Sequence, residues 1–311
     1  MKGIFVVNPV SGMQVHQNTA HLAARRLLKS GVLTEARFFY TTGKNSAYDA
    51  VCRLTPGEYD FVMAVGGDGT VNEVVNGIIA SGSDIPLAIL RAGTTNDFST
   101  IMGLPADLLG IVRMIEEYKT VRIDVGRMNK QYFLNVAAGG VLSEIAHNVP
   151  VGSKTVLGKL AYYVEGLKEI SSLRLDTVPL RFETEEGSFE TETFLMVVAN
   201  SRSVGGFTNI APTAKVNDGL LDVCIIKEVT PADIVPVFTE INAGTHMRDK
   251  KCISYFQTRK LRISALEPDS GFAVDYDGER GDPMPLDIEV VPGALRLLVP
   301  SWSKKTKKML V

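Results

Sequence analysis

Along the first 125 residues, short apolar runs are separated by stretches in which apolar side chains recur every three or four positions. The short runs are Ile4 to Val7, Arg37 to Tyr40, Phe61 to Val65 and Pro86 to Leu90. Each stops at residues that turn a chain: Asn8-Pro9-Val10-Ser11-Gly12, Thr41-Thr42-Gly43, Gly66-Gly67-Asp68-Gly69-Thr70 and Gly93-Thr94-Thr95-Asn96-Asp97-Phe98. Between them Leu22, Ala23, Arg26 and Leu27 with the neighbouring Ala20 and Ala24, then Ala47, Ala50 and Val51, then Val71, Val74, Val75, Ile78 and Ile79 form largely apolar stripes at helical spacing. Continuous apolar strands alternating with helices predict a parallel sheet covered on both faces.

Beyond residue 125 the pattern shortens to period two. Lys130 to Ala138 is expected as one strand, Val156 to Ile170 as an amphipathic helix and Pro231 to Ile241 as a second, with proline near its start. Strands are expected at Leu180 to Thr184, Thr191 to Ala199, Leu220 to Ile226, Ser254 to Gln257, Leu261 to Ala265, Gly271 to Asp275, Leu286 to Val290 and Leu295 to Val299. The fold class expected is α/β in two domains: a parallel-sheet domain over 1–125 and a mainly antiparallel β-sandwich domain with a few helices over 126–299.

Composition narrows the function. Thirty-three Lys+Arg against 35 Asp+Glu leave a net charge of −2, which gives no general attraction for nucleic acid. Basic charge is concentrated only at Lys304, Lys305, Lys307 and Lys308. Cys52, Cys224 and Cys252 are odd in number and far apart, as expected of unpaired apolar cysteines in a reducing, cytoplasmic setting. The opening Met1 to Val7 is too short for a signal peptide and runs at once into Asn8-Pro9. Contact with a membrane is therefore expected to be peripheral, transient and at its inner face.

The junction at residues 66–70 carries the chemistry. A strand ending in three glycines around one aspartate suits close approach of a phosphate, with unpaired amides of Thr70 and Val71 opening a helix behind it. Asp68 would repel that phosphate unless a cation stands between them, so a polyphosphate with magnesium is the expected partner. Neither a Walker loop nor a dinucleotide fingerprint is present.

Gly66-Gly67-Asp68-Gly69-Thr70-Val71-Asn72-Glu73 followed by Gly93 to Phe98 resembles the catalytic domain of the bacterial soluble diacylglycerol and lipid kinases, within a superfamily that includes NAD kinases and phosphofructokinases. The resemblance begins with Asn8-Pro9-Val10-Ser11-Gly12, continues through Ile123-Asp124-Val125-Gly126 and Asn135 to Gly139, and ends with Asn217 to Asp222 and Asp277-Gly278-Glu279, five blocks in order. It implies ATP contacts at Asn8, Pro9, Val10, Ser11, Gly12, Thr41, Gly66 through Glu73 and Thr95. It also implies Glu279 as general base, with Asp68 beside it in catalysis. Asp68, Asp97 and Asp124 correspond to a carboxylate and water network around Mg2+. Lys215, Asp218 and Leu220 correspond to a second, structural magnesium site, the first and last through backbone carbonyls. Residues 300–311 are expected to pack back onto the first domain.

The reaction so implied is transfer of phosphate from ATP to a lipid hydroxyl, with diacylglycerol the preferred acceptor and phosphatidic acid the product. Phosphatidylglycerol, a prenol and a sphingoid base remain alternatives, as do NAD kinase activity and a regulatory nucleotide-binding protein without turnover. The acceptor would be presented by a membrane surface, and a homodimer is possible. Gly139 to Leu142, Val149 to Gly152 and Gly205-Gly206-Phe207 are candidates for the acceptor wall. Taken alone, Asp277-Gly278 is a hairpin-turn signal.

Overall fold

The computed structural model describes residues 1–11, 15–91, 96–140, 176–204, 207, 209–247, 251–267 and 272–311. The expected helix over 156–170, the loop 149–152, Gly205, Gly206 and residues 141–142 lie outside them. The described chain divides into two compact units, one of Met1–Val125, Val216–Asp218 and Val291–Val311 and the other of Gly126–Lys215 and Gly219–Val290.

In the first unit, β1 (Lys2–Val7), β2 (Glu35–Tyr40), β3 (Phe61–Gly66) and β4 (Leu87–Arg91) form a parallel sheet in the order β4-β3-β1-β2. Helices α1 (Val15–Lys29), α2 (Ser46–Val51), α3 (Asp68–Ser81), α4 (Asp97–Met102) and α5 (Leu108–Glu117) connect or follow these strands. Side chains alternate across the sheet. Phe5, Val7, Phe61, Met63, Val65, Ala88 and Leu90 pack with Ala20, Ala23, Ala24 and Leu27 of α1 and with Ile111, Met114 and Ile115 of α5. Their neighbours in sequence, Ile4, Val6, Val62, Ala64, Leu87 and Ile89, are equally buried, so the strands are apolar on both faces as the expectation required. Helix α5 was not foreseen, although its apolar stripe is strong and Asp107 caps it by accepting the Gly110 amide at 2.9 Å.

Two segments far along the chain complete this unit. Leu297 pairs in parallel with Leu87, which places the end of the last strand, β15 (Leu286–Leu298), beside β4. Val216 accepts the Asp124 amide at 2.7 Å and donates to the Met309 carbonyl at 2.9 Å. Residues 291–299, expected to finish the β-rich domain, therefore belong to the first unit, because their pairing partner is a strand of the parallel sheet. Leu295 to Val299 is not a separate strand but the continuation of one beginning at Leu286. The closing helix α7 (Lys304–Met309) docks through Thr306, whose hydroxyl donates to the Met102 carbonyl at 2.5 Å.

The second unit is a β-sandwich. Its strands are the end of β5 (Thr120–Met128), β6 (Gln131–Phe133), β7 (Val136–Gly140), β8 (Val178–Thr184), β9 (Gly187–Ala199), β10 (Leu221–Lys227), β11 (Ile253–Thr258), β12 (Lys260–Ala265), β13 (Val274–Tyr276), β14 (Glu279–Arg280) and the start of β15. The pairings of β5 with β6, of β9 with β7, β8 and β10, of β10 with β11, of β12 with β8 and β15, and of β13 with β7 and β14 are antiparallel. Strands β9 and β10 divide two cores. Met196, Val198, Val223 and Ile225 face Leu180, Phe182, Leu261, Ile263 and Leu286, whereas Leu195, Val197, Cys224 and Ile226 face Ile234, Val237, Phe238 and Ile241 of helix α6 (Pro231–Ala243).

The strand expected over 130–138 is broken in two at Leu134 and Asn135. The amides there are taken by a side chain instead of a neighbouring strand: Asp277 accepts from Leu134 at 2.6 Å and from Asn135 and Val136 at 3.0 Å. The expected strand at 271–275 covers Val274–Tyr276, and Arg280 pairs with Asp275.

Candidate active site

The four parallel strands end level. Val7 lies opposite both Tyr40 and Val65, and Gly66 lies opposite Arg91, so the segments after β1, β2, β3 and β4 leave one edge of the first unit's sheet. Strand β1 is the point where the order reverses, with β2 on one side and β3 on the other, and such a switch point at the carboxyl edge is where open sheets receive ligands. Asn8 and Thr70 sit across it: Asn8 Nδ2 donates to Thr70 Oγ1 at 3.1 Å. The Asn8 carbonyl accepts from Ser11, and its Oδ1 accepts the Val10 amide at 3.1 Å, which folds the loop into a tight turn. Pro9 and Val10 are exposed at its tip, and Gly12 lies outside the described residues. Thr41 follows β2, its amide donating to the Val7 carbonyl at 2.9 Å.

The glycine junction differs from expectation in two ways. Helix α3 begins at Asp68, with Gly67 as its cap, so the Val71 amide already donates to the Gly67 carbonyl at 3.1 Å and is not open to an anion. The first-turn amides of Gly69 and Thr70 are the ones for which the helix has no carbonyl to offer. Nor does the turn rely on positive φ: Gly67 is extended at φ −82. Gly66 is required by close approach instead, because a Cβ there would stand 2.5 Å from Thr70 Oγ1.

Other expected contact residues have structural partners. Glu73 Oε1 accepts the Asn45 amide at 2.8 Å and Oε2 the Ala47 amide at 2.9 Å, which caps α2 and fixes the loop after β2. Asn72 is buried and receives Asn76 Nδ2 at 3.1 Å. Asp68 and Asp97 are half-buried at the first positions of α3 and α4, where an N-terminal helix dipole favours a carboxylate. Asp124 is 2% exposed and accepts the Gly293 amide at 2.7 Å. Among the described residues no three of His, Cys, Asp and Glu gather closely enough to cage a metal. Thr95 lies outside the described residues. Asn96, just after it, was not singled out by sequence: its Oδ1 caps α4 by accepting the Ser99 amide at 2.9 Å, and its Nδ2 is buried with no partner among the described residues. The Asn-Asp-Phe sequence at a helix start was the signal that could have marked it.

Lys215, Asp218 and Leu220 are half-buried in the segment before β10, where Gly219 takes φ +74 and Asn217 Oδ1 accepts the Val311 amide at 2.8 Å. In the second unit Glu279 opens β14 opposite Tyr276, half-buried, on a two-residue hairpin. Asp277 and Gly278 form the turn at φ +47 and +87, the positive pair that a type I′ turn needs. Asp277 is not a solvated turn residue. It is 9% exposed, and its three amide bonds tie the hairpin to the break between β6 and β7. Asn200 reinforces the same break by donating to the Leu134 carbonyl at 2.9 Å.

A second polar cluster in this unit was assigned no role by sequence. Asp222, 1% exposed, accepts from the Tyr255 hydroxyl, from Thr213 at 2.7 Å and from Gln257 at 3.2 Å. Burial raises its carboxyl above the ordinary range despite these donors.

The family model of the diacylglycerol kinase catalytic domain matches residues 2–128, and that of the YegS C-terminal NAD kinase beta sandwich-like domain matches residues 135–299. The diacylglycerol kinase of Bacillus subtilis strain 168 is 34% identical over 281 residues, which cover 90% of each chain. The chain belongs to the diacylglycerol kinase family. The diacylglycerol kinase of Staphylococcus epidermidis strain RP62A is 32% identical over 285 residues, 91% of this chain and 87% of that one. A crystal structure of a Bacillus anthracis diacylglycerol kinase has the same fold, with a TM-score of 0.71 at 23% identity over 96% of this chain and 97% of that one. As a member of the diacylglycerol kinase family, this protein is an ATP-dependent lipid kinase. Among its described residues no helix is long and apolar enough to cross a membrane.

Proposed function

We propose that this kinase transfers the terminal phosphate of ATP to the free hydroxyl of diacylglycerol, forming phosphatidic acid, with Glu279 as general base. The observation that carries the reading is the likeness to relatives named diacylglycerol kinase along nine-tenths of the chain, including both the glycine junction and the hairpin of Glu279. The nucleotide contacts proposed are Asn8 through Gly12, Thr41, Gly66 through Thr70 and Thr95. Asn72, Glu73 and Val71 act behind them, holding the loops in place.

The residues present suit a triphosphate. Gly66 has no Cβ to hold a ligand off, the amides of Gly69 and Thr70 open a helix, and the orphaned Asn96 amide is a buried donor at the same sheet edge. They also suit magnesium, which keeps several waters and takes one or two carboxylates together with the phosphates instead of an all-protein cage. Asp68 and Asp97 would hold it, and Asp124, with one oxygen already on the Gly293 amide, would act through water. Magnesium, when bound, neutralises phosphate charge. A structural ion at Asp218 and the carbonyls of Lys215 and Leu220 is part of the same proposal.

Glu279 is a weak base and has no need to ionise the alcohol beforehand. In a loose in-line transfer it accepts the proton as the bond to phosphorus forms, while positioning and charge neutralisation lower most of the barrier. The anchoring of its turn by Asp277 supports that role, because a base must be held by a rigid neighbour to act at a fixed distance. The acceptor comes from a membrane surface, to which the enzyme attaches peripherally from the cytoplasmic side.

Labelled γ-phosphate transfer to a panel of dispersed lipids, run beside Glu279→Gln, tests the reading. Diacylglycerol is expected to be labelled by the wild type alone, with nucleotide affinity retained in the variant. Equal labelling by both proteins would remove Glu279 from its role, and labelling of a different lipid class would replace the acceptor.

A further inference from the structure

Of the four parallel strands of the first unit only β4 ends on a charged side chain: β1 closes on Val7, β2 on Tyr40, β3 on Gly66 and β4 on Arg91. The transfer proposed above gives Arg91 no role. Its direction follows from the sheet. Ala88 and Leu90 pack with α1 and α5, so strand alternation turns Leu87, Ile89 and Arg91 to the opposite face. In the register of the sheet Arg91 stands beside Gly66, where a Cβ would meet Thr70 in the first turn of α3. Arg91 therefore leaves the sheet on the face where α3 begins, one strand away from the junction whose first-turn amides are open.

The guanidinium is half-buried and held at one point. Its Nη1 donates to Thr100 Oγ1 at 2.8 Å, and that hydroxyl donates in turn to the Asn96 carbonyl at 2.9 Å. Among the described residues Arg91 has no carboxylate partner, and the other N–H groups of its fork meet no described acceptor. Asn96, at the far end of these two bonds, is 2% exposed, and its Nδ2 is likewise without a partner among the described residues. An arginine at a strand end is ordinarily solvated, and one bond to an exposed threonine does not alter that. A buried amide donor left open is different, because such unmade bonds cost free energy and native proteins complete them with water or a ligand. Two sets of open donors, one of them cationic, are tied through a single hydroxyl beside the glycine junction. They match an anion with several acceptor oxygens.

We propose that Arg91 is a phosphate-binding residue of the nucleotide site, its N–H fork donating to the phosphate oxygens beyond the α-phosphorus. Asn96 Nδ2 is the neutral donor that accompanies it, and Thr100 is the positioning residue that aims the guanidinium. The proposal rests on the placement of nucleotide at this sheet edge and deepens it: next to the carboxylates Asp68 and Asp97, Arg91 is the fixed positive charge of the edge. A planar fork suits two oxygens of one phosphate, and a guanidinium stays charged throughout the working pH range.

Calorimetric titration of the full chain with ATP, ADP and AMP, each with excess Mg2+, tests this. Loss of hydrogen bonds to a charged partner corresponds to about ten- to hundredfold in affinity. Arg91→Ala is expected to weaken ATP and ADP by that factor while changing AMP by less than about twofold. Arg91→Lys, which keeps the charge and loses the fork, should recover only part of the affinity. Thr100→Val, which removes the acceptor that aims the guanidinium, should weaken ATP and leave both AMP and the urea midpoint unchanged. Equal ATP affinity in wild type and Arg91→Ala overturns the proposal, as does a loss that is the same for AMP as for ATP, since that marks a displaced loop. Should Arg91→Ala fail to fold, Arg91→Lys and Thr100→Val carry the same comparison of ATP with AMP. A wild-type protein that binds none of the three nucleotides sinks the placement of nucleotide at this edge together with the proposal, whereas a wild type that binds ATP no better than its variants sinks the role of Arg91 alone.

Discussion

Asp277 reaches across the second unit's sheet to accept the amide of Leu134 at 2.6 Å, although the two residues are 143 positions apart. Its side chain also takes the amides of Asn135 and Val136, so a residue that reads locally as half of a hairpin turn is a long-range anchor. Two residues on, Glu279 is proposed to do the chemistry. The two carboxylates should therefore separate cleanly by experiment.

Asp277→Ala leaves three amides without their acceptor in a buried setting and should lower unfolding free energy by about 3 kcal/mol, with activity falling as the hairpin loosens. Glu279→Gln should leave the urea midpoint within about 0.5 kcal/mol of wild type, as expected for a substitution outside the core, while transfer is lost. Paired urea titrations and turnover measurements on the two variants check this; a destabilised Glu279→Gln would make its lost activity uninformative about proton transfer.

Gly66→Ala forces a methyl to within 2.6 Å of Thr70 Cβ. Overpacking of this kind costs about 1–3 kcal/mol and shifts the first turn of α3, so the Michaelis constant for ATP should rise with the loss of thermal stability. Adding Thr70→Ser should not restore either property, because the offending carbon is shared by both side chains. Recovery in the double variant would show that the Thr70 methyl, and not its Cβ or hydroxyl, set the constraint.

Burial pushes the Cys224 thiol up to about 12, which removes the thiolate at neutral pH. A thiol-specific disulfide reagent should therefore react with at most two cysteines of the folded protein, the half-buried Cys52 and Cys252, and with all three after denaturation. Three reactive thiols under native conditions would mean that the core between β10 and α6 opens on the timescale of the assay.

Asp222 gives a pH dependence with a definite sign. Its folded carboxyl is raised above the ordinary 3.8 chiefly by burial, so the folded state binds its proton more tightly than the unfolded one. Stability from this group is fully present below 3.8 and falls as pH rises through the folded value, then stays level. Asp222→Asn should abolish that slope while keeping an oxygen for Tyr255 and Thr213. Urea midpoints measured across the acid range for both proteins decide it, and an unchanged slope in the variant would assign the titration elsewhere.

Much of the first unit could be read from the chain. Its strands are apolar on both faces and end at turn residues, so strand order apart, their number and polarity follow from the pattern, and the loops at their carboxyl ends mark the edge proposed for nucleotide. What was not readable depended on partners distant in sequence. Glu73 looks like a surface residue of a helix, and only the placement of α2 reveals that it caps Asn45 and Ala47. The break at Leu134 and Asn135 has only the polar Asn135 as a local signal within an otherwise apolar run; the reason for it lies at Asp277. In the same way Val291 to Val299 has the look of a final β-sandwich strand, and its membership is set by Leu87, more than two hundred residues earlier.

That last pairing has a consequence for how the polypeptide is made. The strand of Leu87 emerges from the ribosome early, but the neighbour that will cover its outer edge is synthesised only when residue 297 appears. Until then the nascent parallel sheet has an open row of backbone donors and acceptors, the kind of border on which chains aggregate. Exposure of that border in any product truncated before the closing segment follows from the order in which the chain is made.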